Sequence, residues 1–108
     1  MSALILTILR PGAEPETREI PYAGFGELRP LLRELLGGGA PEHVAVLHDG
    51  QRADMFVDGD GVAKGLPRNG AATAVYRNNA LSRAPGTDPE SLPAVYGAAI
   101  LCSRRVWF

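Results

Sequence analysis

Residues 4–9 read Leu-Ile-Leu-Thr-Ile-Leu, and residues 95–102 read Val-Tyr-Gly-Ala-Ala-Ile-Leu-Cys. They are the two most apolar runs of the 108-residue chain, one near each end. A short apolar run bounded by turn residues has the pattern of a strand buried on both faces. Arg10-Pro11-Gly12 closes the first run, and a Pro/Ser/Gly-rich loop over Leu81–Pro93 precedes the second. Strands of this kind belong at the centre of a sheet, so the two ends of the chain are expected to meet there.

The segments between these runs supply the remaining elements. Thr17–Tyr22 alternates as a second strand, with Pro21 suited to an edge. Phe25–Leu36 has Phe25, Leu28, Leu32 and Leu35 at helical spacing with charged residues elsewhere, which predicts an amphipathic helix. Pro30 is best accommodated in its first turn, and Gly37-Gly38-Gly39 followed by Pro41 ends it. His43–His48 and Ala53–Val57 read as a hairpin joined at Asp49-Gly50, and Asp58–Gly61 makes a second tight turn. Asn69–Asn79 opens on a good N-cap and is alanine-rich, which favours a second, short helix over a strand. Val106-Trp107-Phe108 is an apolar end expected to pack down. The order is β-β-α-β-β-α-β, an α+β domain over residues 1–108 with a single mixed sheet. In a β-grasp-like layout of this order the first and last strands pair in parallel at the centre.

Composition narrows the functional classes. Apolar residues make up 45% and charged residues 21%, which is ordinary globular usage. Gly 13 and Pro 9 imply many turns. The net charge of −1 lacks the basic excess of a nucleic-acid-binding protein. Its distribution is uneven: residues 1–65 hold ten acids and six bases, whereas residues 66–108 hold two acids and five arginines. That asymmetry can build an anion-attracting face. No apolar run approaches the ~20 residues of a membrane helix, and no signal-peptide pattern precedes residues 3–9. Cys102, the only cysteine, has no internal disulfide partner and fits a reducing, cytoplasmic setting.

Asp58–Tyr76 contains Gly65-Leu66-Pro67-Arg68-Asn69-Gly70-Ala71-Ala72-Thr73. This resembles a small-domain family of phages, plasmids and their bacterial hosts. Its members typically read an acidic residue, a turn and Gly-Leu-Pro-x-Asn-x-x-Ala-Thr, then a loop and a Gly-containing apolar strand. Tyr96–Ile100 matches that strand, so the resemblance spans the second half of the chain. The family has no assigned function, so the resemblance implies a source and no mechanism. The residues themselves allow two readings. Pro67, Asn69 and Thr73 suit a turn, a helix cap and a bond back to a carbonyl. Alternatively Arg68, Asn69, Thr73 and Arg77 form a binding site for an anion at the helix N-terminus.

Familiar catalytic and metal patterns fail on spacing. Asp58-x-Asp60-Gly61 begins like a calcium loop, but Val62 and Asn69 stand where oxygen ligands are needed. His43 and His48, five apart on a strand, point to opposite faces, and zinc needs three or four convergent ligands. Gly59, Gly61 and Gly65 do not match the dinucleotide fingerprint. Asp54 and Asp58 have the sequence context of ordinary surface acids, and Cys102 lies in an apolar run as an inert thiol would. The expectation is a non-enzymatic small binding protein without metal or cofactor, acting on a protein partner as an inhibitor or regulator. The alternatives are a module binding a nucleotide or other anion at residues 65–77, and an enzyme without a recognisable motif.

Overall fold

A computed structural model describes residues 2–48 and 50–106, with only the backbone of Ser2 and His48. The Asp49 half of the expected turn, and Trp107 and Phe108 of the apolar end, lie outside the described residues. Two hairpins and one late strand make the sheet. β1 (Ser2–Leu9) pairs with β2 (Glu16–Tyr22), and β3 (Pro41–His48) pairs with β4 (Gln51–Asp58). β5 (Ala99–Cys102) enters between the hairpins and gives the order β2-β1-β5-β4-β3. The expected element order holds, and the two apolar runs do meet at the sheet centre.

Their direction corrects the sequence reading. β5 runs antiparallel to both β1 and β4, so the sheet is antiparallel throughout; it is neither mixed nor β-grasp-like at its centre. The cause lies in the connection from β4 to β5. α2 (Gly70–Arg83) carries the chain about 21 Å down the sheet at 1.5 Å per residue. Residues 84–98 then climb back beside it. Arg77 Nη2 donates to the Leu92 carbonyl, Val95 N to Thr73 Oγ1, and Asn69 N to the Val95 carbonyl. The chain therefore re-enters at the end where β4 left, and an antiparallel strand is the only product.

Two boundaries also move. α2 continues past Asn79 to Arg83, taking in residues expected in the loop. β5 begins at Ala99, because Gly97 with φ 84° breaks the strand that the apolar run suggested at Val95. A side chain there would also meet Leu66, whose Cδ1 lies 2.7 Å from the position of a Cβ. That φ is accessible chiefly to glycine.

α1 (Phe25–Leu35) places Pro30 in its second turn. Proline forfeits the bond to the carbonyl of Gly26. Both residues are exposed, so water can take that carbonyl. Gly37 and Gly38, at φ 72° and 90°, end the helix with the Gly38 N–H donating to Arg33 O.

The helices cover opposite faces, and strand alternation decides which residues each meets. Leu4, Leu6, Ile8, Phe56, Ile100 and Cys102 pack with Leu28, Leu32 and Leu36 of the α1 layer. Val46, Ala53, Met55, Val57, Ala99 and Leu101 pack with Ala72 on α2. α2 lies over the β3–β4 side, which leaves Ile5 on β1 45% exposed. The first apolar run is thus fully buried on the α1 face, and on the α2 face only at its end, where Leu9 joins the cluster around Ala72. Val106 is fully buried in the α1 layer. Because Leu32 is also fully buried there, Leu32→Ala should cost about 2–5 kcal/mol in chemical denaturation; a loss under about 1 kcal/mol would mean that this helix face is not core.

Candidate functional site

The Gly65–Thr73 motif forms a joint. Asn69 is fully buried, and its Oδ1 accepts the Ala72 N–H at 3.0 Å, capping α2 as expected. Its Nδ2 donates to Leu9 O and to Gly97 O, each at 2.9 Å. One amide thus ties the end of β1, the start of α2 and the entry to β5. Thr73, 2% exposed, accepts the Val95 N–H at its hydroxyl. Its bond goes to the returning chain, where the sequence suggested a carbonyl of its own helix. Arg68 is exposed and bridges Tyr96 through its backbone. Arg77 reaches the same returning chain, with Nη2 on Leu92 O at 3.1 Å and Nη1 3.6 Å from Glu90 Oε1. The polar groups of Asn69 and Thr73 are therefore engaged within the chain.

Two acids read as surface residues are buried. Asp54 and Asp58 are 2% and 6% exposed, on the same strand face as Phe56. Asp54 Oδ1 lies 2.6 Å from His43 Nε2, and Oδ2 accepts the Val106 N–H at 2.6 Å. The pair anchors the segment after β5 to β4. Asp58 Oδ2 receives Lys64 Nζ at 2.7 Å, and Oδ1 receives the Asp60 N–H at 2.9 Å. The Lys64 hydrogen bond, helped by the Asp60 amide, holds the Asp58 carboxyl below its ordinary pKa against the opposing effect of burial. The Cys102 thiol is fully buried and pushed up to about 12, chiefly by burial and secondarily by Asp54. A thiol in that state is a poor nucleophile at neutral pH.

Two clefts lie towards opposite ends of β3–β4 and α2. The larger, about 450 Å³, is lined by His43, Leu47, Arg52, Asp54, Asn79, Ser82, Arg83 and Arg105 among others. Arg52 comes from β4, Arg83 from the last turn of α2 and Arg105 from the segment after β5. Among the described residues none of these arginines has a carboxylate within ion-pair distance. Asp54 at the cleft floor has both oxygens bonded, so the arginines dominate the charge facing solvent. Asn79 Nδ2 donates to Ala45 O and holds α2 against edge strand β3. The smaller cleft, about 240 Å³, lies between the Asp58–Val62 turn and the Pro93–Tyr96 leg.

Sequence reasoning missed the arginine cleft because its cations come from three distant segments. The only signal was the arginine excess after residue 65, which supplies Arg83 and Arg105. Among the described residues no three of His, Cys, Asp and Glu come together as metal ligands, and no helix is long and apolar enough to cross a membrane. Comparison of the chain with protein families, curated proteins and solved structures finds no match.

Two measurements probe these buried groups. Asn69→Ala should cost about 3 kcal/mol or more, since it removes a cap and strands two buried carbonyls. Asn69→Asp keeps the cap but should be comparably damaging, because it replaces the donor to those carbonyls; an Asp variant as stable as wild type would reduce Asn69 to a cap. For Asp58, a depressed folded pKa gives stability that is present above the unfolded value and lost as pH falls. The advantage of wild type over Asp58→Asn should be full above about pH 4–5 and shrink below it, as read from denaturation midpoints across pH.

Proposed function

We propose that this chain is a non-enzymatic small binding protein that acts on a protein partner, with the arginine-lined cleft receiving an acidic segment of that partner. The observation that carries this reading is the set of Arg52, Arg83 and Arg105 around one cleft, none of them ion-paired to a carboxylate among the described residues. A guanidinium presents a fixed fork of donors that fits a carboxylate bidentately. Arg83 is held where the C-terminal end of α2 favours a cation. Leu47, 38% exposed, adds an apolar contact beside the charges. The three cations come from different elements, which suits several carboxylates along a peptide better than one compact anion. Among the described residues the cleft lining has no Trp, Tyr or Phe on which a base could stack, so a nucleotide or other small anion is the second reading. The likeness of residues 58–76 to the phage and plasmid family supports a mobile-element setting, with a host component as the regulated partner. An unpaired cysteine supports a cytoplasmic location.

A glutamate-rich peptide, polyphosphate and nucleotides titrated at low and high salt would test the reading. The peptide should bind most tightly, with binding weakened by salt and about tenfold by each of Arg52→Ala, Arg83→Ala and Arg105→Ala. Arg68→Ala should leave it unchanged. If Arg68→Ala alone abolishes binding, the site is at the start of α2; if no anion binds tighter than about millimolar, the cleft is not a recognition site.

A further inference from the structure

We propose that the smaller cleft, at the opposite end of α2, is a second binding site whose ligand is an organic amine: one cationic nitrogen on a short apolar body. Its volume of about 240 Å³ falls just under the range of ~300–1,000 Å³ for small-molecule pockets, so it suits a group the size of one long side chain. Val44, Val57, Val95, Tyr76 and Tyr96 form apolar walls, and Val62, 74% exposed, stands beside them. Among the described residues no arginine, lysine or histidine lines it.

Charge selects the ligand. Two acids line the cleft, Asp58 and Glu42. Asp58 is internally neutralised by Lys64 and the Asp60 amide. Glu42 is exposed and, among the described residues, makes no ion pair or hydrogen bond. Its carboxylate packs over the Asp58–Val62 turn, with Oε2 2.8 Å from where a Cβ on Gly59 would sit. Glycine at 59 therefore leaves the space that the carboxylate occupies. The opposite wall is equally close: a Cβ on Gly61 would stand 2.5 Å from the Tyr96 carbonyl oxygen. The cleft thus holds one uncompensated negative charge beside two tyrosine rings, whose faces also attract cations. An amine gains from the carboxylate, the rings and burial of its apolar body. A neutral analogue gains burial alone, and a carboxylic acid meets repulsion.

The test uses the intact chain and phenethylamine, with phenylethanol and phenylpropionate as the neutral and acidic matches, read by amide proton–nitrogen spectra. Phenethylamine should shift the amides of Val44, Val57, Gly61, Val62 and Tyr96, while the acid shifts none of them. The alcohol should bind about five- to tenfold more weakly than the amine. Glu42→Gln, at an exposed position, should keep the wild-type melting temperature and erase the preference for amine over alcohol. A capped lysyl tripeptide separates the two sources of such a group: tighter binding than phenethylamine assigns the site to a peptide side chain, weaker binding to a free amine. The proposal is overturned if phenethylamine at about 10 mM leaves those amides unmoved. It is equally overturned if alcohol or acid binds as tightly as the amine, or if Glu42→Gln retains the preference. The wild-type comparison needs no variant, so it decides even if Glu42→Gln fails to fold.

Discussion

The structure depends on where one buried amide directs its three hydrogen bonds. Asn69 caps α2 with its oxygen and grips Leu9 and Gly97 with its nitrogen. β1, α2 and β5 are far apart in sequence, and each ends or begins at this point. A shorter polar residue could serve the cap, but Ser or Thr cannot also reach two carbonyls, and Asp offers no donor. Gly97 belongs to the same constraint, since its positive φ turns the chain so that its carbonyl meets Asn69. With that joint fixed, the returning leg lies along α2, β5 enters antiparallel between the hairpins, and the smaller cleft gains its second wall.

Much of this was legible in the chain. Hydrophobic periodicity located both hairpins and α1, and the two apolar runs identified the adjacent central strands. Strand direction was not legible, because it depends on whether residues 84–98 cross the sheet or double back. Composition alone describes that stretch as loop, while Arg77, Thr73 and Asn69 decide its path through bonds to Leu92, Val95 and Gly97. The buried acids were obscured for a different reason. Asp54 and Asp58 share the alternation of Phe56, which places them inward, but polarity by itself argued for the surface. Partners such as His43, Lys64 and the Asp60 and Val106 amides make burial tolerable. The motif residue Asn69 was read as a cap, and its two longer reaches have no signature in local sequence.

Charge is arranged by the fold more than by the sequence. The formal charge is −1, yet one end of the β3–β4 and α2 assembly gathers Arg52, Arg83 and Arg105 while the other holds Glu42. Internal pairing sharpens the contrast. Asp58 is silenced by Lys64, and Asp54 is occupied by His43 and Val106, so among the described residues the groups these clefts leave to solvent are cations at one end and a carboxylate at the other. A count of acids and bases along the chain cannot show this, because it weighs paired and unpaired groups equally.

The position of β5 has a kinetic consequence. Each hairpin closes a local loop and can form early, but alone it presents an open edge and an uncovered apolar face. The strand that unites them follows both in the chain, after α2 and its long return. On a ribosome, β1–β2 and β3–β4 emerge before β5 exists to be placed between them. Productive assembly is therefore a late insertion, during which the inner edges of β1 and β4 are free to pair wrongly with each other or with another chain. The shortness of β5, four residues held by the Asn69 joint at its entrance, limits how much new pairing that last step must achieve.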